Sequence, residues 1–207
     1  MKTPITSVFL VDDDLSVRNA MVSLLQAHGL RVESYASAQE YIDSYDPDAA
    51  GCLLLDLMMP GNGGLALQKI LASREQAPPI LFLTSHANVS DAVQALKGGA
   101  IEFLTKPVDE TVLMLAIRKA LILDAVNRGK YKELSDIRKR LATLTPRERQ
   151  VLGYVIAGKL NKQTASALGT VEKTIKVHRA HVMEKLQARS LARLIQISTI
   201  AGISFTA

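Results

Sequence analysis

The sequence predicts an α/β domain built on a five-stranded parallel sheet, followed through a helical linker by a smaller all-α domain. Three observations predict it. Through the first 123 residues, short apolar runs alternate with amphipathic stretches of helical spacing. Beyond residue 144 only helical periodicity remains. The charge divides at the same place: residues 1–123 carry 9 Lys and Arg against 14 Asp and Glu, a net −5, whereas 124–207 carry 16 against 6, a net +10.

The elements follow in order. Residues 8–11 form an apolar run that ends in Asp12, Asp13 and Asp14. Over 15–28, Val17, Ala20, Met21, Leu24 and Leu25 recur on one helical face, and Gly29 stands where a helix C-terminus favours glycine. Residues 31–35 read as a second strand and 38–44 as a short helix. The run 52–55 ends at Asp56, a Pro-Gly loop covers 60–64, and a helix lies near 65–73. The run 80–83 leads into Thr84, and a helix at about 90–97 is stopped by Gly98 and Gly99. The run 101–104 leads to Lys106-Pro107, and a further helix starts near Asp109. Runs apolar on both faces are what a sheet covered by helices on both sides requires. From Asp109 to about Arg140 there is a single glycine, Gly129, so this helix leaves the first domain and continues, with or without a break. The expected limits are 1–123 for the first domain, 124–143 for the linker and 144–207 for the second domain.

Composition narrows the function classes. One cysteine, Cys52, allows no intramolecular disulfide; it reads as a small buried hydrophobe and fits a reducing cytoplasm. The start MKTPITSVFLVDDD lacks the form of a signal peptide, and no stretch approaches the 18 apolar residues of a membrane span. These features predict a cytoplasmic protein with no membrane partner. Aromatic residues make up 4%, few for a protein that stacks single-stranded bases. A unit of net +10 is expected to seek a polyanion, and DNA is the usual one.

The acidic half carries the chemistry. Ligands of open parallel sheets sit beyond the carboxyl ends of the strands. Those ends here are Asp12 and Asp13, Asp56, Thr84 and Lys106. Several carboxylates at one point need a counter-charge. Hard oxygen ligands suit Mg²⁺, which commonly takes one or two carboxylates plus phosphate oxygens. Asp56 stands alone at the centre of the edge and is the best-placed nucleophile; attack on phosphorus would give an aspartyl phosphate. That reaction needs charge stabilisation more than acid–base work. Mg²⁺, the Lys106 ammonium and a Thr84 hydrogen bond would share it.

With VDDD at 11–14, LLLDLMMPG at 53–61, Thr84-Ser85 and FLTKP at 103–107, residues 1 to about 123 resemble the receiver domain of two-component response regulators. The resemblance implies a flavodoxin-like fold, Asp56 as phosphoacceptor, and a sensor histidine kinase as partner. It implies Mg²⁺ held by Asp12, Asp13, Asp56 and the Met58 backbone carbonyl, with Lys106 on the phosphoryl group and a cis bond to Pro107. Asp14 is expected to be a solvated neighbour. Thr84 and Phe103 would form the switch pair. Many relatives have Tyr at that second position, and Phe103 has no hydroxyl, so any reorientation must rest on packing. Met58 and His86 occupy the two positions that tune phosphoryl lifetime.

The basic half divides into four helical pieces. Thr145 is a natural N-cap and Pro146 suits a first turn. A helix ending at Gly158 is followed by 161–168, a turn at Gly169, a longer helix over about 172–186 and a last one over about 191–200. A short helix, a glycine turn and a longer basic helix make a helix-turn-helix. The longer helix would enter the major groove near its N-terminus, bringing Lys173, Lys176, Arg179 and Ala180 within two turns. Ile175, Val182 and Met183 are expected to face the core.

On LTPRERQVL (144–152), GKLNKQTASALG (158–169) and TIKVHRAHVMEKL (174–186), this half resembles the LuxR-type helix-turn-helix of the FixJ and NarL regulators. The resemblance implies Lys176 and Val177 at the groove of double-stranded promoter DNA. It makes Lys162, Thr174, His178, Arg179 and Lys185 candidate backbone contacts. Three residues depart from the pattern. Thr164 replaces a usual Ile in the core. Val171 replaces a Ser cap and is a poor substitute, although Thr170 could serve if the turn shifts. Ala180 stands where several relatives carry Lys, and can meet a thymine methyl but brings no charge.

Joined, the two halves predict a response regulator: phosphorylation of Asp56 drives homodimerisation and DNA binding, and the outcome, with contact to RNA polymerase inferred, is altered transcription, activation above all. A phosphatase of the haloacid-dehalogenase type would want a second Asp two residues after the nucleophile, where Met58 stands. A DNA-binding protein with a vestigial receiver is the other alternative, against which stand five chemically competent receiver positions.

Overall fold

In a computed structural model, which describes residues 6–61, 63–85 and 88–203, five strands form one parallel sheet. They are β1 (Ser7–Val11), β2 (Arg31–Tyr35), β3 (Gly51–Leu55), β4 (Ile80–Thr84) and β5 (Glu102–Thr105), in the order β2-β1-β3-β4-β5. Between them run α1 (Leu15–Ala27), α2 (Ala38–Asp43), α3 (Gly64–Ala72) and α4 (Val89–Lys97), and α5 (Glu110–Ala142) follows β5. His86, expected to tune phosphoryl lifetime, lies outside the described residues.

Alternation along the strands sorts the apolar residues into two layers. Val8, Leu10, Leu54, Leu81 and Leu83 share one face with Leu25 of α1 and Leu113 and Ile117 of α5. Phe9, Val11, Leu53, Leu55 and Phe82 share the other with Tyr41 of α2, Leu67 and Leu71 of α3, and Ala95 of α4. The three inner strands are buried on both faces, whereas the edge strand β2 has only half-buried and exposed residues. Cys52 is fully buried, and burial pushes its thiol up to about 12, so it is an inert core residue.

Helix ends obey local chemistry. Asp14, expected to be merely solvated, caps α1 by accepting from the Ser16 and Val17 amides at 2.7 and 3.1 Å. Gly29, just past the helix end, has φ +75°, a conformation that glycine adopts without strain. Asp109 caps α5 by accepting from the amides of Thr111 and Val112.

The chain divides into two compact units, Met1–Gly129 and Lys130–Ala207. α5 is one unbroken helix across that boundary. Asp124 and Arg128, in the stretch expected to be linker, are bonded into the first unit. The buried Asp124 carboxylate accepts from the Gly51 amide at 2.9 Å and from Arg128 Nε at 2.8 Å. Arg128 also donates to the carbonyls of Pro47, at 3.0 Å, and Ala49. This clasp fastens α5 to the entry of β3, opposite the strand ends that carry the acidic residues.

In the second unit, Ile137 and Leu141 of α5 share a core with α6 (Pro146–Ile156), α7 (Asn161–Ala167), α8 (Glu172–Lys185) and α9 (Leu191–Ile200). Ile175, Val182 and Leu186 form the inner stripe of α8, at helical spacing. Met183 packs beside it, half-buried. Thr164 is buried too, and its hydroxyl donates to the Leu160 carbonyl, so the polar atom at this core position is satisfied.

Candidate functional site

The order of strands reverses direction between β1 and β3, and parallel sheets bind ligands at such a point. Val11 pairs with Leu55 at the ends of these strands, so the next residues, Asp12 and Asp56, come out side by side. The Asp56 amide donates to the Val11 carbonyl at 2.8 Å, which fixes the two strand ends together. Both aspartates are buried. Lys106, just beyond β5, donates from its amide to the Thr84 carbonyl, and its peptide bond to Pro107 is cis. Its Nζ lies 2.6 Å from Asp12 Oδ2 and 2.8 Å from Asp56 Oδ1.

Backbone amides hold the other two oxygens. Asp14 N–H donates to Asp12 Oδ1 at 3.0 Å, and Met58 N–H donates to Asp56 Oδ2 at 2.7 Å. Close packing from below completes the mount: a Cβ added to Gly64 would stand 2.4 Å from the Asp56 carbonyl oxygen. Burial pushes the Asp56 carboxyl above the ordinary range, although Lys106 and the Met58 amide pull against it. Burial also opposes the charge on Lys106, but its hydrogen bonds to Asp12 and Asp56 outweigh that and hold the ammonium above a normal lysine.

Not every expected residue joins this group. Asp13 is exposed, and the aspartates do not form a set of three with ligand atoms within 4.8 Å of one another. The pair Asp12 and Asp56 converges instead on Lys106, whose ammonium is the counter-charge that two adjacent carboxylates need. Met58 has an exposed side chain beside the pocket. Thr84 is fully buried at the end of β4. Phe103 is half-buried and pairs in register with Phe82, not with Thr84, with ring centroids 6.1 Å apart. Thr84 follows Phe82 by two residues and so lies on the same face of the sheet.

The helix-turn-helix is α7 and α8, joined by a turn in which Gly169 has φ +60°. Val171 is the N-cap of α8 and makes no side-chain cap, so Thr170 does not take over that role. Lys173, Lys176, Val177 and Ala180 are exposed at helical spacing, on the side of α8 away from Ile175 and Val182. Val177 is an aliphatic side chain, 47% exposed, in the midst of this polar row. Lys162 is exposed; Thr174 and Arg179 are half-buried.

Of the expected DNA contacts, Lys176 pairs with Glu172 at 3.2 Å and Arg179 donates to Asn161 Oδ1 at 3.4 Å, while Lys185 and His178 lie toward the interior of the unit. Lys185 Nζ lies 2.6 Å from Glu148 Oε2 and 3.2 Å from the Thr143 carbonyl. His178 falls on the inner side of α8, half-buried, with its Nδ1 enclosed. Glu148 went unnoticed in the sequence, although Thr145-x-x-Glu148 is the pattern of a capping box, and that box is formed. The hydrogen bond from Lys185, then the Thr145 amide, hold the Glu148 carboxyl down at about 2. Unfolding would return it to about 4.3. The stabilisation is therefore fully present above that value and is lost as pH falls through the folded value near 2. In acid melts of the full chain, the wild type should lose its advantage over Glu148→Gln as pH falls from about 4.3. A gap between the two that did not change with pH would refute this assignment.

Comparison with known proteins matches residues 8–118 to the response regulator receiver domain and residues 142–198 to the bacterial regulatory proteins of the luxR family. The chain is 41% identical to nodulation protein W of Bradyrhizobium diazoefficiens, over 95% of this chain and 87% of that protein. It is 38% identical to the transcriptional regulatory protein FixJ of Azorhizobium caulinodans, over 95% and 93%. A solved structure of the response regulator StyR superposes with a TM-score of 0.82 at 42% identity, covering 94% of this chain and 98% of that one. Full-length FixJ from B. japonicum gives 0.57 at 37%, covering 97% and 98%.

Proposed function

The chain belongs to the two-component response regulators that join a receiver domain to a LuxR-family DNA-binding domain, and we propose that Asp56 is the residue through which it is switched. The observation that carries this reading is the convergence of Lys106 Nζ on Asp12 and Asp56 at the turning point of the sheet. A sensor histidine kinase would present phosphohistidine. An Asp56 oxygen attacks the phosphorus, the N–P bond breaks with its electron pair left on the imidazole, and an acyl phosphate forms. The Met58 amide holds the Asp56 carboxylate in place for attack. Lys106 follows the charge onto the phosphoryl oxygens, and Thr84 supplies a hydroxyl at the same edge.

The two buried carboxylates, Asp12 and Asp56, are hard oxygen donors that suit Mg²⁺, and the exposed Asp13 and the Met58 carbonyl are the further donors that the family resemblance implies. When bound, the ion would neutralise charge building on the transferring phosphoryl group. In the phosphorylated receiver, the pull on Thr84 and Lys106 biases the packing of Phe103 against Phe82. Two phosphorylated receivers (residues 1–123) then pair, and their DNA-binding domains (144–207) present two α8 helices about one DNA turn apart. Lys173, Lys176 and Val177 would face the groove, Val177 suited to a thymine methyl, with Lys162, Thr174 and Arg179 toward phosphates. His178 and Lys185 serve the interior of the domain. Contact with RNA polymerase and activated transcription complete the reading, which places the protein in the cytoplasm.

Intact-mass spectrometry after incubation with acetyl phosphate and Mg²⁺ tests it. Wild type should gain one phosphoryl group and Asp56→Asn none. A wild type that stays unlabelled, or an Asp56→Asn variant labelled to the same extent, overturns the assignment.

A further inference from the structure

We propose that Glu148, His178 and His181 form a site for a divalent transition metal of the Zn²⁺ class, on the side of α8 that faces α6. Each offers one ligand atom, and the three atoms lie within 4.8 Å of one another. The two imidazoles are three residues apart on α8 and so share a face. Glu148, at the third position of α6, brings a buried carboxylate to the same point.

The hydrogen bonding leaves these atoms available. Glu148 Oε2 is occupied by Lys185 Nζ at 2.6 Å and by the Thr145 amide at 2.8 Å. Oε1 faces His181 Nδ1 at 3.5 Å, too long for a good hydrogen bond. His178 Nδ1 is enclosed and has no hydrogen-bond partner among the described residues. A buried ring nitrogen left so is costly, and a bound metal or a proton shared with a neighbour is what removes that cost.

Donor chemistry selects the ion. Two imidazoles and one carboxylate are the protein ligands of an open zinc site, with the fourth position left to water. Imidazole favours zinc, nickel or copper over magnesium, which the oxygen-lined pocket of the first unit would take. At bond lengths of about 2.0–2.2 Å, tetrahedral ligand atoms stand roughly 3.4 Å apart; Glu148 Oε1 and His181 Nδ1, at 3.5 Å, already meet that spacing, and no pair has to close by more than about 1.4 Å. His181 is half exposed, which gives it room to move and gives the ion an entry path. Thr145 and Lys185 hold the carboxylate from behind, as outer partners of a metal ligand do. The Lys185 charge opposes the cation, so the affinity should be moderate and reversible. Bound metal would tie α6 to α8 and uses none of Lys173, Lys176 and Val177 as a ligand.

The test uses the untagged full-length protein, stripped with a chelator and held in excess Mg²⁺ to fill oxygen-ligand sites. Titrated Co²⁺ should give saturable ligand-field bands that one equivalent of Zn²⁺ removes, and Zn²⁺ should raise the melting temperature. His181→Ala should weaken Co²⁺ binding at least tenfold while its metal-free melting temperature stays that of wild type. His178→Gln should weaken it comparably. No saturable bands in wild type, or unchanged affinity in both variants, would overturn the proposal, the latter because it places the metal elsewhere.

Discussion

Asp124→Ala should destabilise the first unit by about 3–5 kcal/mol, the cost of removing one member of a buried charged pair. The variant strands two partners at once. The Gly51 amide, at the start of the central strand, loses the carboxylate it donates to, and the Arg128 guanidinium loses its counter-ion while still tethered to the carbonyls of Pro47 and Ala49. Against a typical domain stability of about 5–15 kcal/mol, that loss is large. Urea unfolding followed by circular dichroism should show a lower midpoint with the slope preserved. Asp124→Asn keeps an acceptor for Gly51 and should lose less. If Asp124→Ala moved the midpoint no more than a surface substitution does, about 0.5 kcal/mol, the clasp would be decorative.

Lys106→Met should slow phosphoryl uptake from acetyl phosphate by about 100-fold or more, the usual effect of removing one preorganised donor from developing charge. It also leaves Asp12 and Asp56 facing one another without their shared cation. Like charges so close resist joint ionisation, so the Asp56 carboxyl should rise further and the uptake rate should fall at higher pH values than in wild type. Lys106→Arg keeps the charge but replaces a compact ammonium with a planar fork, and should recover only part of the rate. Labelling of Lys106→Met at the wild-type rate would remove Lys106 from the chemistry.

Much of this was legible in the sequence because strand ends announce themselves. Each apolar run stops at or just before the residue that the sheet then delivers to its carboxyl edge, so the runs themselves mark Asp12, Asp56, Thr84 and Lys106 as edge residues. Helix boundaries at Gly29, Thr145 and Gly169 were legible for the same reason: capping chemistry is local. Pairing was not. That Lys106 would bridge Asp12 and Asp56, with Asp13 left outside, depends on which side chain first meets the ammonium. The Asp124–Arg128 clasp looks in sequence like any solvated pair four apart on a helix. Lys185 and His178 read as DNA-backbone contacts because a basic side chain on a DNA-reading helix carries no mark of the face it occupies. Only the inner stripe of Ile175, Val182 and Leu186 separates them from Lys173 and Lys176.

The ammonium lodged between Asp12 and Asp56 also sets how the pocket behaves at rest. One ammonium offsets only one of the two carboxylate charges, so the pair stays net negative, and a cation arriving there would share its ligands with Lys106. Such a pocket would hold its ion loosely and fill or empty with the surrounding concentration. A relay that must be reset after every signal is well served by a grip of that kind.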